Sequence, residues 1–235
     1  METTPNGTPP NGATQETSGG GSDHAPRLRE QSFGETGSTT PVDRFGIWLS
    51  ARSIERHAGT LSGKRIGDFG CGYAATLSRA LAPRAASMLA VDVSLHPSVH
   101  ADPRIEAVEG ALPAVLAPLL DRSLDVVLCV SVLEHLDDPE TALSEFYRLL
   151  APGGRCLLNV PNWLGKRALE FSAFRLGLSP AEEMDDHRCY YDPKDLWPLL
   201  VRAGFRPSNI KCFRHKLGLN TFAVCRVPDD QSSTS

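Results

Sequence analysis

The stretch Arg65-Ile66-Gly67-Asp68-Phe69-Gly70-Cys71-Gly72-Tyr73-Ala74-Ala75 decides how the rest of the chain is read. Lys64–Phe69 predicts a short strand, and Ala74–Ala82 predicts a helix stopped by Pro83. The strand passes into the helix through two glycines, which permit a tight turn and let a ligand come close to the backbone. Twenty residues beyond Gly72 stands Asp92, just after a second predicted strand, Ser87–Val91. A carboxylate at that place is suited to hydrogen-bond a ribose diol, so a nucleoside-containing ligand is expected at the carboxyl ends of these two strands.

Outward from this unit the chain alternates. A helix is expected from Thr40-Pro41, with Ile47, Ala51, Ile54 and Ala58 at helical spacing beside Phe45, Trp48 and Leu49. Arg104–Val108 reads as a third strand, and Leu124–Val130 (LDVVLCV) as a strand buried on both faces. Asp138-Pro139 opens a helix whose face is Ala142, Leu143, Phe146, Leu149 and Leu150. Pro152-Gly153-Gly154 breaks it before a fifth strand, Arg155–Val160. Asp192-Pro193 starts another helix to Ala203, kinked or delayed by Pro198, and two last strands lie around Asn209–Arg214 and Asn220–Val227. Alternation of this kind predicts a doubly wound α/β sheet, mostly parallel. The connection around Lys216–Gly218 is too short for a parallel crossover, so the C-terminal strand pair is expected to be antiparallel.

The 235 residues carry 24 basic and 28 acidic side chains, a net charge of −4. The imbalance sits at the ends. Residues 1–40 hold Glu2, Glu16, Asp23, Glu30 and Glu35 against Arg27 and Arg29, and the tail from Pro228 to Ser235 adds Asp229 and Asp230. Rich in Gly, Thr, Ser and Pro, 1–40 has too little apolar surface to offset ordering entropy and is expected to be disordered, as is 228–235. The domain is then 41–227, close to neutral, which gives no reason to expect a nucleic-acid partner. No apolar run approaches the ~20 residues of a membrane span, and no secretory leader is visible. The six cysteines, widely spaced and without Cys-x-x-Cys, point to a reducing, cytoplasmic setting and to no metal cage. His96 and His100 are separated by Pro97 and read as surface loop residues.

Which nucleoside is expected turns on Asp68. Gly70-Cys71-Gly72-Tyr73-Ala74-Ala75 also satisfies G-x-G-x-x-A, the dinucleotide pattern, but a carboxylate two residues before the first glycine would repel a pyrophosphate. It suits a ligand with an ammonium and a sulfonium, unless it simply pairs with Lys64 or Arg65. From this point the sequence resembles the class I S-adenosylmethionine-dependent methyltransferases, in particular the broad small-molecule group that includes ubiquinone and menaquinone methyltransferases. The likeness spans most of 64–227. It rests on Asp68-Phe69-Gly70-Cys71-Gly72, Val91-Asp92, Leu124-Asp125-Val126-Val127 followed by Val132-Leu133-Glu134-His135-Leu136, Leu149-Leu150-Ala151-Pro152-Gly153-Gly154, and His187 through Tyr190-Tyr191 to Leu199–Phe205. It implies a Rossmann-like sheet and S-adenosyl-L-methionine as cofactor. Asp68 would then lie near the cofactor's amino group, with Gly70, Cys71 and Gly72 along its methionine and ribose. Asp92 would take the ribose hydroxyls, Val93 would stand beside the adenine, and Val130 would line the site at the end of strand four. Many relatives have Gly-Asp-Ala after strand three; here Glu109-Gly110-Ala111 stands, so either the acid is displaced or its role falls to backbone atoms, with adenine contacts by Gly110, Ala111 and Leu112 implied by the resemblance.

For a hydroxyl acceptor the protein must also remove a proton. The candidates are His135, after strand four, and His187, after strand five, each with a plain ordering role as the alternative. The insertion 162–189 reads either as a substrate lid or as a helix on the sheet edge. Its Leu164, Ala168, Phe171, Phe174 and Leu178 form an apolar stripe. Lys166, Arg167 and Arg175, with Lys211, Arg214 and Lys216, either receive an anionic acceptor or form a solvated face. Val130–His135 stands where base-methylating enzymes carry Asn-Pro-Pro-Tyr, so the expected acceptor is a small molecule: a natural product, quinone-like ring, lipid or saccharide, methylated on oxygen. The rival readings are a catalytically silent cofactor-binding partner subunit and an NAD-dependent oxidoreductase.

Overall fold

A computed structural model describes residues 32–35, 41–166 and 189–229. Helix α1 (Pro41–Ala58) precedes strand β1 (Arg65–Phe69), helix α2 (Thr76–Leu81), β2 (Ser87–Asp92), the short α3 (Pro97–His100), β3 (Ile105–Glu109) and β4 (Leu124–Val130). Then come α4 (Pro139–Leu149), β5 (Leu150–Pro161), α5 (Pro193–Arg202), β6 (Ile210–His215) and β7 (Asn220–Arg226). The strands form one seven-stranded sheet in the order β3-β2-β1-β4-β5-β7-β6. β1 to β5 pair in parallel, and β7 runs antiparallel to both β5 and β6.

Both faces of the sheet are covered, which is why the central strands are apolar throughout rather than alternating. Val127 and Cys129 of β4 face a core with Phe69, Phe146, Leu149, Leu196 and Leu200, under α4 and α5. Val126 and Leu128 face the other core, with Ile54, Ile66, Leu81 and Phe222. Phe69 and Phe146 stack at 5.2 Å between ring centroids; each such fully buried side chain contributes about 1.5–3 kcal/mol. The expected stripe on α1 is only partly inward: Ile54 and Ala58 are buried, whereas Phe45 and Trp48 are exposed and stack on each other.

Three expectations change. Pro152-Gly153-Gly154 does not separate α4 from a later strand, because β5 already begins at Leu150, opposite Leu124. The pairing then jumps to Val126–Arg155, so residues 151–154 bulge opposite Asp125. A side chain at Gly154 would press within 2.7 Å of the Ala151 carbonyl oxygen, so the tight bulge requires glycine there. Helix α5 runs unbroken through Pro198, its first turn fixed by the Asp195 carboxylate accepting from the Asp192 amide at 3.1 Å. His96 is not simply a surface loop residue: it caps α3 by accepting from the Ser98 amide at 3.1 Å, with Pro97 at the first helical position.

All six cysteines are free thiols, with Cys129, Cys156 and Cys225 buried in strands. Among the described residues no helix is long and apolar enough to cross a membrane.

Candidate functional site

The strand order reverses direction at β1, with β2 on one side and β4 on the other, and the crevice at the carboxyl ends of these strands is where doubly wound sheets bind ligands. The glycine loop lies there. It is longer than expected: Tyr73 to Ala75 continue it, with Ala75 at φ 45°, and α2 starts only at Thr76. Gly70 and Cys71 both donate their amides to the Val91 carbonyl, at 2.8 and 3.2 Å, which ties the loop to β2. Gly70 has φ +77°, and a Cβ on it would overlap Val132, so the turn after β4 closes directly on the loop.

Asp92 stands at the end of β2 as expected. Its Oδ2 accepts from the Gly72 amide at 2.7 Å and its Oδ1 from the Val93 amide at 2.8 Å. Asp68 is 2% exposed and does not pair with Lys64 or Arg65. Arg65 holds Asp125 instead, at 3.0 Å across the amino ends of β1 and β4. Asp68 Oδ2 accepts from Ser78 Oγ of α2 at 2.6 Å. Burial raises its pKa to about 6; the Ser78 hydroxyl opposes the shift and the charge of Asp92 adds to it. Burial beside the same two carboxylates pushes the Cys71 thiol far up, so it stays protonated. Among the described residues the loop faces two carboxylates, Asp68 and Asp92, an acceptor set that fits a ligand carrying positive charge and repels a diphosphate. The Gly110 amide donates to the Asp92 carbonyl at 2.9 Å, bringing Gly110 and Ala111 to the same edge. Glu109 turns away: its Oε1 accepts from the Leu95 amide at 2.7 Å and meets His100 at 3.4 Å. Val130 ends β4, half-buried.

On the other side of β4, Leu133–His135 forms a single 3₁₀ turn in which Glu134 is buried and His135 half-buried. The Glu134 carbonyl accepts from the Cys189 amide at 3.3 Å, and the Pro161 carbonyl from the Tyr191 amide at 3.1 Å. Lys216, at φ 49° in the β6–β7 turn, is half-buried; burial lowers its pKa to about 8, against the opposing charge of Glu134. The Lys166 ammonium lies 5.4 Å from the ring centroids of both Trp163 and Tyr190. Lys211 and Arg214 are exposed. His187, Arg167, Arg175, and Ala168, Phe171, Phe174 and Leu178 of the expected stripe lie outside the described residues, as does nearly all of the 162–189 insertion. A separate surface hollow, lined by Asp121, Tyr147, Leu150, Pro152 and Pro228, is at the opposite end of the strands and holds no candidate residue.

Sequence reasoning missed Ser78, although a serine at 78 between Ala75 and Leu81 on the inward face of a helix is a readable sign of a buried polar partner. It also missed Ser32. Four residues of the segment expected to be disordered, Ser32 to Glu35, sit against the glycine loop. Ser32 Oγ contacts Asp92 Oδ1 at 2.5 Å, and the Phe33 carbonyl accepts from the Tyr73 amide at 3.0 Å. No periodicity or motif marks that contact.

Residues 44–209 match a family described as a methyltransferase domain. The chain is 33% identical over 173 residues to a ubiquinone biosynthesis O-methyltransferase of Pseudomonas aeruginosa (strain LESB58), covering 69% of this chain and 72% of that one. It is 30% identical over 176 residues to the protein of that name from Xylella fastidiosa (strain M23), covering 67% of each. In structure it resembles a SAM-dependent methyltransferase from Archaeoglobus fulgidus, with a TM-score of 0.58 and 17% identity, over 76% of this chain and 93% of the other.

Proposed function

We propose, from the premise that this chain belongs to the class I S-adenosylmethionine-dependent methyltransferases, that it methylates an oxygen atom of a small-molecule acceptor. The observation that carries the reading is the pair of carboxylates, Asp68 and Asp92, beside a glycine loop whose Gly72 amide Asp92 itself holds. Asp92 would accept the ribose hydroxyls. Asp68 would offer negative charge to the amino group, and Gly70 to Gly72 would line the methionine and ribose. Val93, Gly110, Ala111, Leu112 and Val130 would enclose the base and the mouth of the site. The bound cofactor supplies a methyl group on a sulfonium, open to in-line displacement by an acceptor atom.

The acceptor side is the region between β4, β5 and the β6–β7 turn. His135 is the group assigned to take the hydroxyl proton, through a ring nitrogen of its imidazole. Glu134 and Lys216 bring opposite charges to the same end of the sheet. The O-methyltransferase names of the relatives and the Val130–His135 sequence after β4 support oxygen over a nucleobase nitrogen.

The test uses labelled S-adenosylmethionine with a panel of monocyclic phenols and catechols and the matching anilines. Label on phenolic oxygen, and on no aniline, is expected; label on nitrogen alone would contradict the reading. His135→Ala should leave S-adenosylhomocysteine affinity unchanged and lower turnover by about 10²–10⁴-fold. Loss of cofactor affinity in that variant would instead place His135 in the cofactor site.

A further inference from the structure

We infer that Ser32 is a built-in occupant of the ribose subsite, which the cofactor must displace in order to bind. The inference rests on the reading of Asp92 as the ribose acceptor. Ser32 is 5% exposed although it belongs to a polar leader. Its hydroxyl lies 2.5 Å from Asp92 Oδ1 and 2.5 Å from the Ser94 carbonyl oxygen, and it accepts from the Ser94 amide at 2.9 Å. Glu35 fixes the segment by accepting from the Ser32 amide at 3.0 Å and from Ser94 Oγ at 3.2 Å. The Phe33 carbonyl completes the seat by taking the Tyr73 amide of the glycine loop.

Hydrogen-bond capacity at Asp92 decides which partner must leave. A carboxylate offers about four acceptor positions. At Asp92 three are occupied, by the Gly72 amide, the Val93 amide and the Ser32 hydroxyl. A ribose diol brings two more O–H donors, so one present partner must leave for both to bond. The two amides belong to the loop and to the end of β2, inside the fold. Ser32 belongs to a segment that is not part of the sheet. Its single hydroxyl proton cannot serve both Asp92 and the Ser94 carbonyl oxygen, so one of these two close contacts always lacks a proton. The serine thus keeps Asp92 satisfied before the nucleoside arrives and gives way to it.

The prediction is opposite in sign to that for an ordinary binding residue. Using the full chain and S-adenosylhomocysteine, isothermal titration should show Ser32→Ala binding about tenfold more tightly, the scale of one lost competing hydrogen bond to a charged group. Glu35→Ala loosens the seat without touching Asp92 and should also tighten binding. In hydrogen–deuterium exchange, the peptide containing 32–35 should lose protection when the ligand is added. Unchanged or weaker affinity in both variants, or protection gained by the peptide, would overturn the inference and make the segment a cap over bound cofactor. Asp92→Ala, measured alongside, separates the two readings. If it binds as wild type does, the ribose assignment fails and the inference with it. If it loses affinity while the other variants do not gain, only the inference fails.

Discussion

Asp92 holds the Gly72 amide of the glycine loop and the Val93 amide just after β2, so on the proposed reading its removal takes away both an acceptor for ligand and a tie to the loop. Asp92→Ala is expected to lower S-adenosylhomocysteine affinity by about a hundredfold, from two charge-assisted bonds of about 1.5 kcal/mol each; an unchanged Kd in titration calorimetry would contradict this. Asp68 gives a pH signature. Its carboxyl titrates near pH 6 when folded, against about 3.8 in the unfolded chain. Between these values the folded protein holds a proton that the unfolded chain has released. Stability is therefore greatest below the unfolded value and falls as pH rises through about 6, by about 3 kcal/mol in all. Asp68→Asn removes that loss, so urea unfolding should find the variant more stable than wild type at pH 7 and equal to it near pH 4. Parallel pH profiles would refute the assignment. The position of Asp92 was legible from the twenty-residue spacing to Gly72. The partner of Asp68 was not, because which hydroxyl meets a buried carboxylate depends on how α2 settles on the sheet, and spacing from Gly70 or Gly72 does not report that.

Among the elements, the glycine loop and the turn after β4 are one mechanical unit. Gly70→Ala sets an L side chain at φ +77° and against Val132, and should cost about 2–4 kcal/mol of unfolding free energy. Val132→Ala in the same chain should recover part of that cost, the steric part, and leave the backbone part. Purely additive losses in a double-mutant cycle would show that the two do not meet. The strands were readable because β-branched runs such as Leu124–Val130 leave little choice. The β5 bulge was not, since Pro152-Gly153-Gly154 carries the same helix-breaking signal whether it lies before a strand or within its pairing. Pro198 misled for a related reason. Its missing N–H removes one bond to the Lys194 carbonyl near the start of α5, where the Asp192–Asp195 cap already secures the turn.

For the whole molecule, the sheet order puts the proposed site at the switch between β2-β1 and β4, while the antiparallel β7 and β6 extend the sheet on the other side of β5. Charge gave a coarse outline: the acid lies at the ends, yet Ser32 to Glu35 of that leader is seated on the loop that the rest of the chain builds. No composition argument could place it, because four residues held by hydrogen bonds, with the exposed Phe33 as their one apolar side chain, carry no apolar pattern. The most direct test incubates the full chain with methyl-labelled S-adenosylmethionine and a fractionated cell extract, then identifies the labelled product by mass. The account predicts label in a low-molecular-mass compound as an oxygen-linked methyl group, abolished by Asp92→Ala. Label confined to nucleic acid or protein, or transfer that persists undiminished without Asp92, would contradict it.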